Sequence, residues 1–180
     1  MMAIREYGRQ YAKQVADLLT NYLPFEEENE QTINEAGGVQ LLAVEDEKVI
    51  GYIAGYKMDD TSVEFPYFNE KLAPLLTTLK EGRSYYTSHL VVHPKARGKG
   101  IGKQLVARYI EEVEKRADVV VVVGWVKSDT NKWDAEKQFM EYGFTDKLYI
   151  KRYFEPYDVY CPSCAGTCYC DASIVWKIIG

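Results

Sequence analysis

Two short stretches of the 180-residue chain carry residue types that could do chemistry. The first reads Val92-His93-Pro94-Lys95-Ala96-Arg97-Gly98-Lys99-Gly100-Ile101-Gly102-Lys103. Glycines let a backbone approach a ligand closely and turn successive N–H groups the same way. The apolar spacing that follows is helical, and the first turn of a helix offers unpaired N–H donors and a partial positive charge. Together these make an anion site suited to phosphate, with Arg97, Lys99 and Lys103 adding formal charge around it. A Walker loop would need Gly at 97 and Ser or Thr at 104, where the chain has Arg97 and Gln104. The dinucleotide pattern beginning at Gly98 fails at Lys103. Spacing alone leaves a phosphate cradle and a plain basic turn both open.

The second stretch is Cys161-Pro162-Ser163-Cys164-Ala165-Gly166-Thr167-Cys168-Tyr169-Cys170, which holds all four cysteines as C-x2-C-x3-C-x-C. Two thiolates of a C-x2-C turn can reach one zinc ion, and four would close its coordination in a structural role. The second half is tighter than the usual pair, so disulfides, free thiols and an iron–sulfur cluster stay open beside zinc.

The rest of the composition sets the class. The chain is 47% hydrophobic and 27% charged, enough apolar material for a sizeable core in one domain spanning 1–180. A general nucleic-acid binder needs a basic face, and a net charge of −5 argues against one. It argues equally against a small zinc protein binding nucleic acid through its knuckle. The N-terminal MMAIREYGRQ has no apolar signal core, and no apolar run approaches membrane-spanning length. The expected location is the cytoplasm, with no membrane partner.

These stretches need elements to position them. Strands are expected at Ala3–Tyr7, Val39–Val44, Val49–Tyr56, Ser84–Val92, Val119–Val123, Leu148–Phe154 and Ala172–Ile179. Helical spacing marks Gln10–Tyr22, stopped by Pro24, and Ile101–Arg116. Glu26–Glu35 reads as an exposed acidic helix and Asp134–Tyr142 as a short one ending at Gly143. Asp59–Arg83 is irregular, with a helix possible at Leu72–Leu79. Five consecutive valines at Val119–Val123 fit a strand buried on both faces, as in parallel pairing. The order gives an α+β (mixed α/β) class.

At Arg97-Gly98-Lys99-Gly100-Ile101-Gly102 the chain resembles the R/Q-x-x-G-x-G/A signature of the GNAT superfamily of N-acetyltransferases. Leu90–Pro94 resembles that family's fourth strand and its exit, and Ala135–Phe144 its second motif, a short helix ending in Gly-Phe. The resemblance implies a central mixed twisted sheet of about seven strands with helices on both faces. It implies acetyl-CoA as co-substrate, bound where Ser84–Val92 and Val119–Val123 splay apart. The backbone of Leu90, Val91 and Val92 would then meet the pantetheine arm, and the amides of Arg97, Gly98, Lys99, Gly100, Ile101, Gly102 and Lys103 the pyrophosphate.

By the same resemblance, an amine attacks the thioester directly, so a base must take its proton and the leaving thiolate benefits from a donor. The family's strand glutamate falls on Ser88. Neighbouring His89 could act instead, although period-2 alternation puts it on the opposite face from Ser88. Tyr86 shares the Ser88 face and could order a water. The family's donor tyrosine falls on Phe139, which has no proton to give; Tyr142 lies about one turn later. The family's asparagine falls on Lys132, with Asn131 adjacent.

Acidic residues in regions that border the acceptor in this family, Asp59, Asp60 and Glu64 with Glu26–Glu30, favour a cationic primary amine on a small molecule or protein. Tyr67, Phe68, Tyr85 and Tyr86 could form an aromatic wall. The cysteine hairpin is expected to flank the acceptor mouth and shape its pocket. A homodimer is compatible with this reading. Ser88 and Phe139 also support a second reading, a CoA-binding module that regulates or scaffolds without catalysis.

Overall fold

The computed structural model describes residues 1–23, 28–67 and 69–179. The expected helix stop Pro24, Glu26 and Glu27 of the acidic run, and Phe68 of the aromatic wall lie outside the described residues.

Seven strands form one mixed sheet. They are β1 (Met2–Glu6), β2 (Val39–Glu45), β3 (Lys48–Met58), β4 (Ser84–Val92), β5 (Val119–Val126), β6 (Asp146–Ile150) and, after the short pair β7 (Tyr160–Cys161) and β8 (Gly166–Thr167), β9 (Asp171–Ile178). Their order is β1-β2-β3-β4-β5-β9-β6. The helices are α1 (Ala12–Tyr22), α2 (Glu30–Glu35), α3 (Thr61–Glu64), α4 (Ala73–Thr78), α5 (Ile101–Glu114) and α6 (Glu136–Met140). None of the described helices is long and apolar enough to cross a membrane. Strand β4 has the bounds expected from sequence. The expected strand Leu148–Phe154 instead starts at Asp146 and ends at Ile150, because residues 151–154 turn away.

Contacts gather into two compact units, Met1–Tyr56 with Thr87–Val113, and Lys57–Tyr86 with Glu114–Gly180. In the first, β2 pairs antiparallel with β1 and β3, joined by a turn in which Asp46 and Glu47 take positive φ. Alternation gives β2 and β3 two apolar faces. Leu42, Val44, Tyr52 and Ala54 pack with Val15, Leu18 and Leu19 of α1 and Ile33 of α2. The opposite face receives α5. A Cβ placed on Gly51 would lie 2.9 Å from Leu105 and 3.4 Å from Ile101, so a larger residue there would push out the first turn of α5.

In the second unit, β5 pairs antiparallel with β9 over its whole length, and β9 pairs antiparallel with β6. Val119–Val122 are buried and Val123 is half-buried, and the pairing with β9 within this unit is antiparallel. Val119 and Val121 join Leu72, Leu75, Leu79, Ile174 and Trp176 in one core. On the alternate face, Trp133 lies directly over Gly124, where a methyl group would fall inside the indole. Because β9 lies between β5 and β6 and opposes both, β6 runs the same way as β5. Ile150 and Trp125 both pair with Ala172, so the chain leaves β6 at the level of the C-terminal end of β5. There it builds the cysteine hairpin.

Candidate functional site

In the first unit the end of β4 leads into the glycine loop. His93 donates its backbone N–H to Ile50 O of β3 at 2.8 Å, fixing the strand exit. Its Nδ1 accepts from the Lys95 N–H at 3.2 Å, opening the tight turn at Pro94–Ala96. Arg97 Nε donates back to Val92 O at 3.0 Å, so its guanidinium ties the loop to the strand. Gly98 and Gly100 take φ of 78° and 75°, a region costly for residues with a Cβ. The first backbone bond into α5 runs from Gln104 N to Gly100 O, 3.1 Å. The N–H groups of Ile101 and Gly102 precede that bond, in the first turn, where a helix supplies no i−4 acceptor. The loop from Arg97 to Gly100 is exposed, with Lys99 and Lys103 at the surface. Exposed donors at a helix start beside two lysines can hold an anion such as a pyrophosphate. Val91 turns its side chain into the core, while Leu90 and Val92 are half-buried.

His89 precedes this segment on β4. Its Nδ1 lies 3.1 Å from Ser88 Oγ, so the two side chains meet despite the alternation expected of a strand. The Ser88 hydroxyl donates to Ala54 O at 3.2 Å, which leaves its oxygen as an acceptor for an Nδ1–H. Nε2 faces Glu28 Oε1 at 3.6 Å. Both side chains are largely shielded, 17% and 12% exposed. Glu28 is held by the start of α2. Asn29 caps that helix by accepting from Thr32 N at 3.0 Å, and the Thr32 hydroxyl donates to Glu28 Oε2 at 2.5 Å. Around the pair, Tyr52 donates to Gln40 Oε1 at 2.8 Å and Tyr7 to Asn34 Oδ1 at 2.6 Å. Burial, reinforced by the Glu28 carboxylate, pushes the Tyr52 phenol far above its ordinary range, so it stays a neutral donor. A carboxylate, an imidazole and neutral phenols grouped in this way can accept and hold a proton.

Sequence reasoning placed Glu28 in an acidic run bordering the acceptor but did not join it to His89. The only local signal was its place just before the helix-capping Asn29.

The other expected positions belong to the second unit. Tyr86 is half-buried and meets Phe65 edge-on at 6.2 Å. Tyr67 meets Tyr157 at 4.8 Å, and Tyr157 meets Tyr153, whereas Tyr85 is buried in the core. Asp60 caps α3 through Ser62, whose hydrogen bonds hold its carboxyl below the usual range, and Asp59 pairs with Lys57. Phe139 stacks on Trp133, meets Phe144 edge-on and is 1% exposed; it is core. Tyr142 is half-buried just after α6. Asn131 takes φ 56° in a turn closed by Lys127 N to Lys132 O and Asn131 N to Lys127 O, and is exposed.

The four cysteines converge. Their sulfurs all lie within 4.8 Å of one another, with Cys161–Cys170 at 3.8 Å and Cys164–Cys170 at 3.5 Å. Cys161, Cys168 and Cys170 are fully buried and Cys164 is half-buried. Burial pushes the Cys161 and Cys168 thiols up. At Cys164 burial is outweighed by hydrogen bonds from Ser128, the Tyr169 N–H and neighbouring thiols, which hold it down at about 7. Sequence reasoning missed Ser128.

The model described as the acetyltransferase (GNAT) family matches residues 5–144. No curated protein matches the sequence. Among solved structures, Arabidopsis thaliana NAA60 in complex with acetyl-CoA is similar at TM-score 0.72 and 13% identity, covering 99% of each chain. The acetyltransferase yncA of Salmonella typhimurium with acetyl-CoA is similar at 0.69 and 15%, covering 99% of this chain and 94% of its own. Arabidopsis thaliana Naa50 with the bisubstrate analogue CoA-Ac-MVNAL is similar at 0.63 and 20%, covering 98% and 97%. At such identities the likeness is one of fold.

Proposed function

The chain belongs to the acetyltransferase (GNAT) family, and on that premise we propose that it moves an acetyl group from acetyl-CoA directly to a primary amine, in the cytoplasm. The observation that carries this reading is the exposed loop before α5, where Gly98 and Gly100 turn left-handed ahead of the first-turn N–H groups of the helix. A pyrophosphate matches it in charge and donor geometry.

The chemistry assigned to the chain is proton handling. The acceptor enters as an ammonium and must lose a proton before its nitrogen can attack. His89 Nε2 takes that proton. The nitrogen then bonds to the thioester carbonyl carbon, the C–S bond breaks with its electron pair on the CoA sulfur, and the second proton released by the nitrogen ends on that sulfur to give the free thiol. Glu28, 3.6 Å from Nε2, stabilises the imidazolium, and Ser88 fixes the ring through Nδ1. A thiolate is a good leaving group in its own right, its thiol having a pKa of about 8.5, so the loss of a phenol at Phe139 is tolerable. The Glu28 carboxylate also favours a cationic acceptor.

The test is calorimetry with CoA together with a thiol-release assay over an amine panel. The panel holds small polyamines, lysine side chains and peptide N-termini, the last because of the likeness to Naa50. CoA binding with turnover of at least one amine is expected. Binding without release from any of them would favour a regulatory module instead.

A further inference from the structure

We infer that Cys161, Cys164, Cys168 and Cys170 hold one zinc ion in a closed tetrathiolate site, which clamps the β7–β8 hairpin onto the exit of β5. This does not rest on the acetyl-transfer reading. A tetrahedral zinc with Zn–S of about 2.3 Å has sulfur–sulfur edges of about 3.8 Å. Observed separations of 3.8 and 3.5 Å, with all four sulfurs inside 4.8 Å, already approximate that tetrahedron. Cys170 approaches both Cys161 and Cys164, a common centre where two disulfides would require separate pairs.

The hairpin also needs a staple. β7 and β8 are two residues each, paired only through Tyr160↔Thr167 and Cys161↔Gly166, and so short a pairing has little stability of its own. Three of its four sulfurs are buried, 0%, 0% and 1% exposed, and four thiolates fill a tetrahedral zinc. The zinc would therefore be structural, with no open position. The one half-buried sulfur, Cys164, is met by the Tyr169 N–H at 3.5 Å and by Ser128 Oγ at 3.2 Å. Donors aimed at sulfur favour the thiolate, the form that binds metal. Ser128 lies just past β5, in the turn that carries Lys127 and Asn131, so the metal would fix that turn as well as the hairpin.

The test uses the intact purified protein. Native mass spectrometry with metal analysis should find one zinc per chain, and a mercurial should release it as four thiols react. The cobalt-substituted protein should show the absorption of a tetrahedral thiolate complex. Replacing a buried ligand could unfold the hairpin, so the variants are Cys164→Ser and the non-ligand change Ser128→Ala. The first should lose zinc on dialysis, and the second should weaken zinc affinity about tenfold while keeping the stoichiometry. Amide exchange across Lys127–Lys132 should speed up when zinc is stripped; unchanged exchange there overturns the clamp. Metal-free protein with four freely reactive thiols, a mass deficit of two disulfides, or iron in place of zinc overturns the site.

Discussion

His89 Nε2 of β4 lies 3.6 Å from the Glu28 carboxylate that precedes α2, beside the buried Tyr52 phenol, which donates to half-buried Gln40. The distance is right for an imidazolium–carboxylate pair once the ring takes a proton. His89→Gln should therefore lower kcat about 100-fold, and added imidazole should restore part of the rate to His89→Ala. Glu28→Gln should cost less, and in kcat more than in KM for acetyl-CoA. Steady-state thiol release measures all three. An unchanged kcat in His89→Gln would remove the histidine from the mechanism.

Gly100 has open space around its Cβ position and a φ of 75°. Gly100→Ala would meet no neighbour and would pay only in backbone strain, about 1–2 kcal/mol. If the loop relaxes to relieve it, the donors of the cradle lose their alignment. The expected outcome is CoA affinity lowered about tenfold by calorimetry, with kcat at saturation nearly unchanged.

Gly124 has the opposite problem, because an added Cβ would occupy the Trp133 indole. Gly124→Ala should displace Trp133 from β5 and disturb the Trp133–Phe139 stack. Overpacking of this kind destabilises by about 1–3 kcal/mol. Urea unfolding followed by tryptophan fluorescence reads both the shift and the altered environment.

Arg83 grips Asp118 through Nε at 2.6 Å and a terminal nitrogen at 2.5 Å. The hydrogen bond from Arg83 holds the Asp118 carboxyl below its ordinary value. A depressed acid contributes stability above its unfolded pKa of about 3.9 and loses it as pH falls through the lower folded value. Asp118→Asn should therefore lower stability at neutral pH and flatten the acid limb below about pH 4. Thermal melts across pH 2–7, set about the ordinary carboxylate range, should show the two proteins converging at the acid end.

Much of the local structure was legible because it depends on short-range chemistry. The bounds of β4 followed from a β-rich run between Arg83 and His93-Pro94. The start of α5 at Ile101 followed from apolar spacing after the glycines, and its end at Glu114 fell two residues short of the expected Arg116. The strand order was not legible. β9 entering between β5 and β6 depends on which strand edge is left open after the other faces are buried, and no residue pattern records that choice.

By itself, then, the sequence determined the glycine cradle and the four-cysteine spacing, since left-handed turns and C-x2-C knuckles are set within a few residues. Only the tertiary structure decided who stands beside His89 and Cys164. Glu28 and Ser128 come from distant parts of the chain, brought there by the capping of α2 and by the exit of β5. A through-space pair leaves no mark on the spacing of either partner, so the helical and strand periodicities that located the elements could not reveal it.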